Sequence, residues 1–410
     1  MPFRTLVNLL LRTLIVLPIG LSGSSCWSQD KAVELIAVDG TRRHARLAEV
    51  NLQGQLVFRS GDKTHTLAVA DLVRFGSPVE DTSDPLVVTA DGSLWVTNQT
   101  FVPVAIADER ASFDSSTFGT VETPLAQLRG ILFLQPENDR RRDAMIDDIF
   151  KGDKKTDVVI LENGDQLTGL TLTLKDDQLT FRTADAKTTI DMDQVVALVL
   201  NPALTRRPPR PDQFLLVGTR DGSRLVLESL KAGGRGIEMK TVGGLVVDTS
   251  LADICYVQPL GRTAAYLSDI PVAKFRHQPY LSLSWPYQRD RNVLGGRLRC
   301  GGQRYEKGIG VHSIAGLTYR LDQPYRRLEA GLGIDDATAG AGSIVLRIYT
   351  DDGSGKWQLK FTSDVVRGGQ APTPISVDIS GAKRLSLIVD VADHGDQQDH
   401  TNLLDARLVP

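Results

Sequence analysis

GGQRYEKGIGVHSIAGLTYRL, residues 301–321, is the stretch whose reading decides the last part of the chain. It sets Tyr305, Lys307 and His312 around Gly308 and Gly310, then alternates through Leu317-Thr318-Tyr319-Arg320-Leu321. Glycine lets a backbone turn tightly or approach another group closely. The alternation that follows has the period of a half-buried strand. An aromatic ring, a cation and an imidazole ahead of such a strand suit a polar ligand such as a sugar. The competing reading is a structural turn with Tyr305 packed beneath it.

Working outward, strand-period alternation recurs at Leu328-Ala330-Leu332-Ile334, Trp357-Leu359-Phe361, Ile375-Val377-Ile379 and Leu385-Leu387-Val389-Val391, with turns at Asp352-Gly353 and Gly368-Gly369. Many short strands with turns at this spacing predict a β-sandwich. Seven of the eight tyrosines and four of the six histidines lie after residue 260, and Tyr280–Tyr287, with Trp285, forms an aromatic-rich approach to the strands. Tyr and Trp combine a flat apolar face with a polar edge, which matches the C–H face of a pyranose. Most of these rings are expected in the sandwich core, with two or three left for a ligand.

Several separated phrases occur in order: Gly333-Ile334-Asp335-Asp336, Gly342 to Tyr349, Val377 to Gly381, Leu385 to Val389, Asp399-His400-Thr401-Asn402 and Asp405 to Leu408. Together with 301–321 they resemble the NPCBM/NEW2 family, a carbohydrate-binding module found beside glycoside hydrolases and overlapping carbohydrate-binding module family 51. The resemblance implies a galactose-binding-like jelly roll over residues 261–410. It also implies carbohydrate contacts from Tyr305, Lys307, His312, Asp399, His400 and Asn402. Two positions depart from the family pattern: Leu403 stands where a Trp is usual, and Leu328 where an aromatic is usual. The first puts a sugar-stacking or core-anchoring position in doubt.

Upstream, one pattern returns four times. A short apolar strand runs into Asp39-Gly40, Asp91-Gly92, Asn163-Gly164 and Asp221-Gly222. Asx-Gly between apolar residues is a hairpin signal, because both residues tolerate positive φ. Each copy closes on a similar apolar phrase, such as Leu72-Val73-Arg74-Phe75 or Ile254-Cys255-Tyr256-Val257. The expectation is four small β-units, A to D, over 29–136 and 156–260. Each is too small to bury much surface alone, so packing in pairs is expected. The phrase Leu161 to Gly169 is similar to short SH3- or LSm-like β-repeats of bacterial envelope proteins. Met145, Ile146, Ile149 and Phe150, set among charges, predict a short amphipathic helix within a linker at 137–155. A proline-rich joint spans 201–212. The fold class is therefore all-β with one helical linker.

At the N-terminus, Arg4 and Arg12, a short apolar run to Leu21 and the small residues Ser22-Gly23-Ser24-Ser25 have the layout of a signal peptide, residues 1–28. A lipidated Cys26 is the weaker alternative. The expected location is secreted, periplasmic or cell-envelope, with no membrane span after cleavage. A net charge of −3 offers no electrostatic case for nucleic acid. Three cysteines make no disulfide framework; Cys255 and Cys300 are read as buried thiols, with pairing left open for an oxidising compartment.

No G-x-S-x-G, H-E-x-x-H or phosphate-loop motif is present. Asp335 and Asp336, being neighbours on a strand, point to opposite faces and make a poor acid–base pair. They suit a cation better: with Asp405 and the carbonyls near Asp351-Asp352-Gly353 they supply the hard oxygens calcium prefers, and the family resemblance implies a structural calcium. The expected function is a non-catalytic glycan-binding protein. The alternatives are an envelope protein-interaction module with a degenerate sugar site, and part of a glycoside hydrolase whose catalytic domain goes unrecognised.

Overall fold

Each of the four Asx-Gly pairs folds into the same turn. The Asx side chain accepts a hydrogen bond from the backbone N–H two residues on: Asp39 from Thr41, Asp91 from Ser93, Asn163 from Asp165, Asp221 from Ser223. The glycine takes φ of +87°, +101°, +89° and +89° in the four copies, where a side chain would be strained. These features come from a computed structural model that describes residues 32–80, 84–98, 104–151, 155–261, 264–279, 283–393 and 395–410. The expected signal segment, Cys26 and Tyr280 lie outside the described residues.

Unit A shows the plan. Val33–Ala37, Arg42–Val50, Leu56–Ser60 and Lys63–Leu67 form an antiparallel meander, a 3-10 turn follows at Val69–Asp71, and Leu72–Gly76 returns to pair with the first strand. The last strand thus closes the meander onto its first strand. Units B, C and D repeat this plan over 86–132, 157–199 and 213–261, except that the second strand of B is split into Leu94–Val96 and Val104–Ala107. Inward residues at matching places, Phe58, Phe113, Phe181 and Met239, fill one shared core.

The units pair through their last strands, and not in chain order. Phe75 of A lies opposite Val257 of D, while Ile131 of B lies opposite Leu198 of C. Units B and D also exchange hydroxyls. Val96 N–H donates to Ser223 Oγ, and Val226 N–H to Ser93 Oγ, both at 2.9 Å. The helix Asp139–Lys151 buries Ile146 and Ile149 against the B–C junction.

The C-terminal domain is a two-sheet sandwich. One sheet runs in the order Gln288–Arg289, Gly308–His312, His400–Val409, Arg327–Ile334, Thr373–Asp378; the other runs Val272–His277, Ala315–Arg320, Arg384–Val391, Ser343–Asp351, Gln358–Thr362. The alternating residues read as core, Leu328 to Ile334 and Leu385 to Val389, fill the space between them. Trp357 and Leu359 do not. Trp357 precedes the edge strand Gln358–Thr362 and Leu359 lies on it; they are 41% and 53% exposed. The Cys255 and Cys300 thiols are free, and burial pushes both up to about 12.

Candidate functional site

Gly308–His312 and His400–Val409 are antiparallel neighbours, with Gly308 opposite Leu404 and His312 opposite His400. This pairing distributes the expected ligand residues. At one end His312 and His400 meet, ring centroids 5.5 Å apart. Lys307 sits at the other end, roughly 16 Å away at ~3.3 Å per strand residue.

The imidazole end is a four-ring cluster. Trp285 stacks on His312 with centroids 4.9 Å apart and planes 7° from parallel, and lies 5.6 Å from His400. His277 meets His312 edge-on at 6.0 Å. His312 and His400 are buried, whereas Trp285 and His277 stay half-buried, so the indole remains open to water. His312 Nδ1 donates to the Ser313 carbonyl at 2.5 Å, which leaves its Nε2 as an acceptor in the neutral ring. His277 accepts from the Trp285 backbone N–H at Nδ1, and its Nε2 donates to the same carbonyl. Burial, then the nearby His312, depresses His400 to about 4. Burial likewise lowers His277. His400 is thus a neutral imidazole at neutral pH, and its buried Nδ1 has no hydrogen-bond partner within the protein.

The other expected ligand residues are engaged within the protein. Asp399 is buried, accepting from Ser313 Oγ at 2.6 Å and Ser343 N–H at 2.8 Å. Buried Asn402 donates to Asp335 at 2.7 Å and to the Arg299 carbonyl at 3.2 Å. Tyr305 packs beneath the Arg74 guanidinium of unit A, 5.3 Å from its ring. Lys307 is held by Asp269 at 2.6 Å and Asp290 at 2.7 Å, over the Tyr266 ring. The glycines between them admit the protein's own backbone. A Cβ on Gly310 would lie 2.4 Å from the Arg291 carbonyl oxygen and 2.5 Å from the Asn292 carbonyl carbon.

The proposed calcium oxygens do not converge. Asp335 accepts from the Asn292 and Asn402 side chains and from the Ala337 and Arg299 amides. Asp336 accepts from the amides of Gly301 and Gly302. Asp405 is paired with Arg74 and Gln258, and Asp351 with Arg384 and the Gly353 and Gly355 amides. Donor hydrogens fill both oxygens of Asp335, and the other carboxylates are each turned to separate partners instead of toward a common point. No cluster of three or more His, Cys, Asp or Glu suited to a metal occurs among the described residues.

Residues 263–409 match the NPCBM/NEW2 domain. The C-terminal domain is of that family. Over 120 residues the chain is 31% identical to alpha-1,3-galactosidase B of Akkermansia muciniphila, covering 28% of this chain and 14% of that enzyme. The chain spans only 6% to 14% of the length of the curated relatives it matches. Among solved structures, a family 51 module from a Clostridium perfringens GH95 protein, in complex with methyl-galactose, is 26% identical. It covers 35% of this chain and 99% of that one, with a TM-score of 0.31. A second C. perfringens structure, the CBM51-2 and INT domains of ZmpB with GlcNAc, is 25% identical, covering 44% and 39% of the two chains with a TM-score of 0.32.

Leu403, which stands where the family pattern has Trp, is 1% exposed and packs in the sandwich core. The substitution therefore bears on core packing, not on a surface platform. Trp285 and His277 were not singled out as ligand residues by the sequence. The clustering of histidines and aromatics after residue 260 was the available signal.

Proposed function

We propose that the NPCBM/NEW2 domain binds a neutral glycan at the Trp285–His277–His312–His400 cluster, and that the protein is non-catalytic. The half-exposed indole backed by a stacked imidazole carries this reading. One flat apolar face is left for the C–H face of a sugar, beside imidazole nitrogens able to hydrogen-bond its hydroxyls. The names of the similar proteins point to galactosides and N-acetylhexosamines as first probes. The layout of residues 4–25 supports an exported protein, secreted or in the cell envelope. No helix among the described residues is long and apolar enough to cross a membrane, which leaves β-barrels unaddressed.

The test is calorimetric titration of the full chain with methyl-galactoside, N-acetylglucosamine and N-acetylgalactosamine, alone and as short oligosaccharides. At least one should bind, and Trp285→Ala should weaken it about tenfold, the equivalent of ~1.4 kcal/mol. Negligible binding of every sugar by a folded protein, or binding indifferent to Trp285→Ala, would overturn the assignment. Release of sugar from oligosaccharide by the purified chain would contradict the non-catalytic reading.

A further inference from the structure

A cleft of about 1080 Å³ opens where the helix, the proline-rich joint, units B and D and the C-terminal domain meet. It shares no residue with the histidine cluster, although its Asp290 and Lys307 lie five positions along the chain from Trp285 and His312. Phe214, Leu216, Val226 and Pro208 give it apolar wall. Most of the remaining lining is charged, and the charges do not balance.

Every acid in the wall is already engaged. Asp147 takes Arg291 and Arg297, Glu306 takes Arg224 and Arg304, and Asp269 and Asp290 share Lys307. Asp91 accepts from Thr89, Ser93 and Gly243. Two cations at the joint have no carboxylate partner among the described residues. Arg207 gives one N–H to the Phe150 carbonyl at 3.2 Å, and Arg210 lies over the Phe214 ring. Deeper in, Arg224 is 9% exposed and its Nε makes no hydrogen bond. Burial, and then Arg304, Arg224 and Arg291, lower Arg297 to about 9. A bound anion would relieve that crowding.

We propose that this cleft is a second ligand site, which takes an acidic saccharide bearing a carboxylate or sulfate. Guanidinium groups match such oxyanions with paired N–H donors, and the volume with its apolar wall suits a ring-bearing molecule better than a lone inorganic ion. The site is independent of the neutral-glycan reading. It also gives the β-units a role, since units B and D supply part of its wall.

The experiment titrates the full chain with trigalacturonate, galactose-6-sulfate, inorganic phosphate and neutral galactotriose. One of the two acidic sugars should bind at least tenfold tighter than galactotriose and weaken with added salt. The exposed pair Arg207→Ala/Arg210→Ala, on the joint, should lower that binding about tenfold, while Trp285→Ala should leave it unchanged. The proposal is overturned by no binding of either acidic sugar, by phosphate binding as tightly as they do, or by indifference to the double variant. Loss on Trp285→Ala would instead assign the acid to the histidine cluster.

Discussion

Asp405→Ala tests whether the C-terminal domain is fastened to unit A by a buried ion pair. Arg74 Nε lies 3.0 Å from Asp405 Oδ2, with both side chains nearly sealed from water at 4% and 6% exposure. Its other donors reach Glu34 at 2.7 Å and the Gly76 carbonyl at 2.5 Å, and the Tyr305 ring lies against the guanidinium. Removing one partner of a buried pair costs about 3–5 kcal/mol, because the remaining charge stays desolvated. Glu34 remains as a partial substitute, which places the pair's loss near ~3 kcal/mol. Gln258, which donates to Asp405 at 3.2 Å, loses its acceptor, adding about 1 kcal/mol. The assay is urea unfolding followed at two tryptophans, each monitored in a protein whose other tryptophans are replaced by Phe. Trp95 reports on the unit B core and Trp285 on the C-terminal domain. In the parent the two transitions should coincide; in Asp405→Ala the Trp285 transition should move to lower urea and separate. The double variant Arg74→Met/Asp405→Asn should recover part of the loss, since it leaves no buried charge and Asn tolerates the φ of +46° at this position. A change below about 1 kcal/mol with coincident transitions would refute the reasoning, because that is the scale of an exposed pair.

Three further outcomes follow from the same geometry. His400 is depressed to about 4 in the folded state, so between pH 6.5 and 4 the unfolded chain binds the extra proton. Its contribution is complete above pH 6.5 and lost as pH falls toward 4; His400→Gln should flatten the melting-temperature slope in that window, and the imidazole resonance should titrate near 4. For Glu80 and Glu306, burial opposes ionisation, but Arg304, Arg299 and Arg142 around the first, and Arg224, Arg304 and Arg297 around the second, hold both down at about 2. Their stabilisation is present above about pH 4.5 and lost as pH falls toward 2, so Glu80→Gln should make stability less steep there. Gly310→Ala should destabilise the C-terminal domain by several kcal/mol, on the order of 2–4, as its Cβ meets the Arg291–Asn292 backbone inside 3 Å. A normal melting temperature in that variant would contradict the packing described.

Much of the fold was legible because it is local. An Asx-Gly pair fixes its own turn through one side-chain hydrogen bond and one positive φ, so reading four pairs found four units. The helix was legible too: the linker at 137–155 holds Asp139–Lys151, because Ile146 and Ile149 fall on one helical face. The partners of the units were not. Chain order suggests A with B and C with D, yet the final strands join A to D and B to C. That choice depends on which strand edges match across more than a hundred residues, as with Phe75 and Val257, and no short motif records it. The exposed pair Trp357 and Leu359 misled because alternation does not announce an irregularity: the register slips between Ile348 and Tyr349, so Leu359 and Phe361 fall on different faces and only Phe361 packs against the core.

Half of the expected ligand residues come together in the structure, and the other half are kept apart for one reason. GGQRYEKGIGVH looks like a cluster because its polar residues are close in sequence, but a strand converts five residues into ~16 Å, so Lys307 and His312 cannot share a small ligand. His312 met His400 because they are register partners, and Trp285 joined them from a separate segment. The strand His400–Val409 explains the rest: all ten of its residues are buried. A sandwich strand read in isolation should show water to its outer face, and on that premise Asn402 and Asp405 are free to bind ligand. Here the hairpin of Leu298–Cys300 and Gln303–Tyr305 covers Leu404, and Arg74 and Gln258 from units A and D cover Asp405. The cover arrives from up to 331 positions away in the chain, so the domain's own sequence cannot reveal it. Once that face is closed, a ligand must approach from the edges, where the half-exposed indole and the cleft with its unpaired arginines lie.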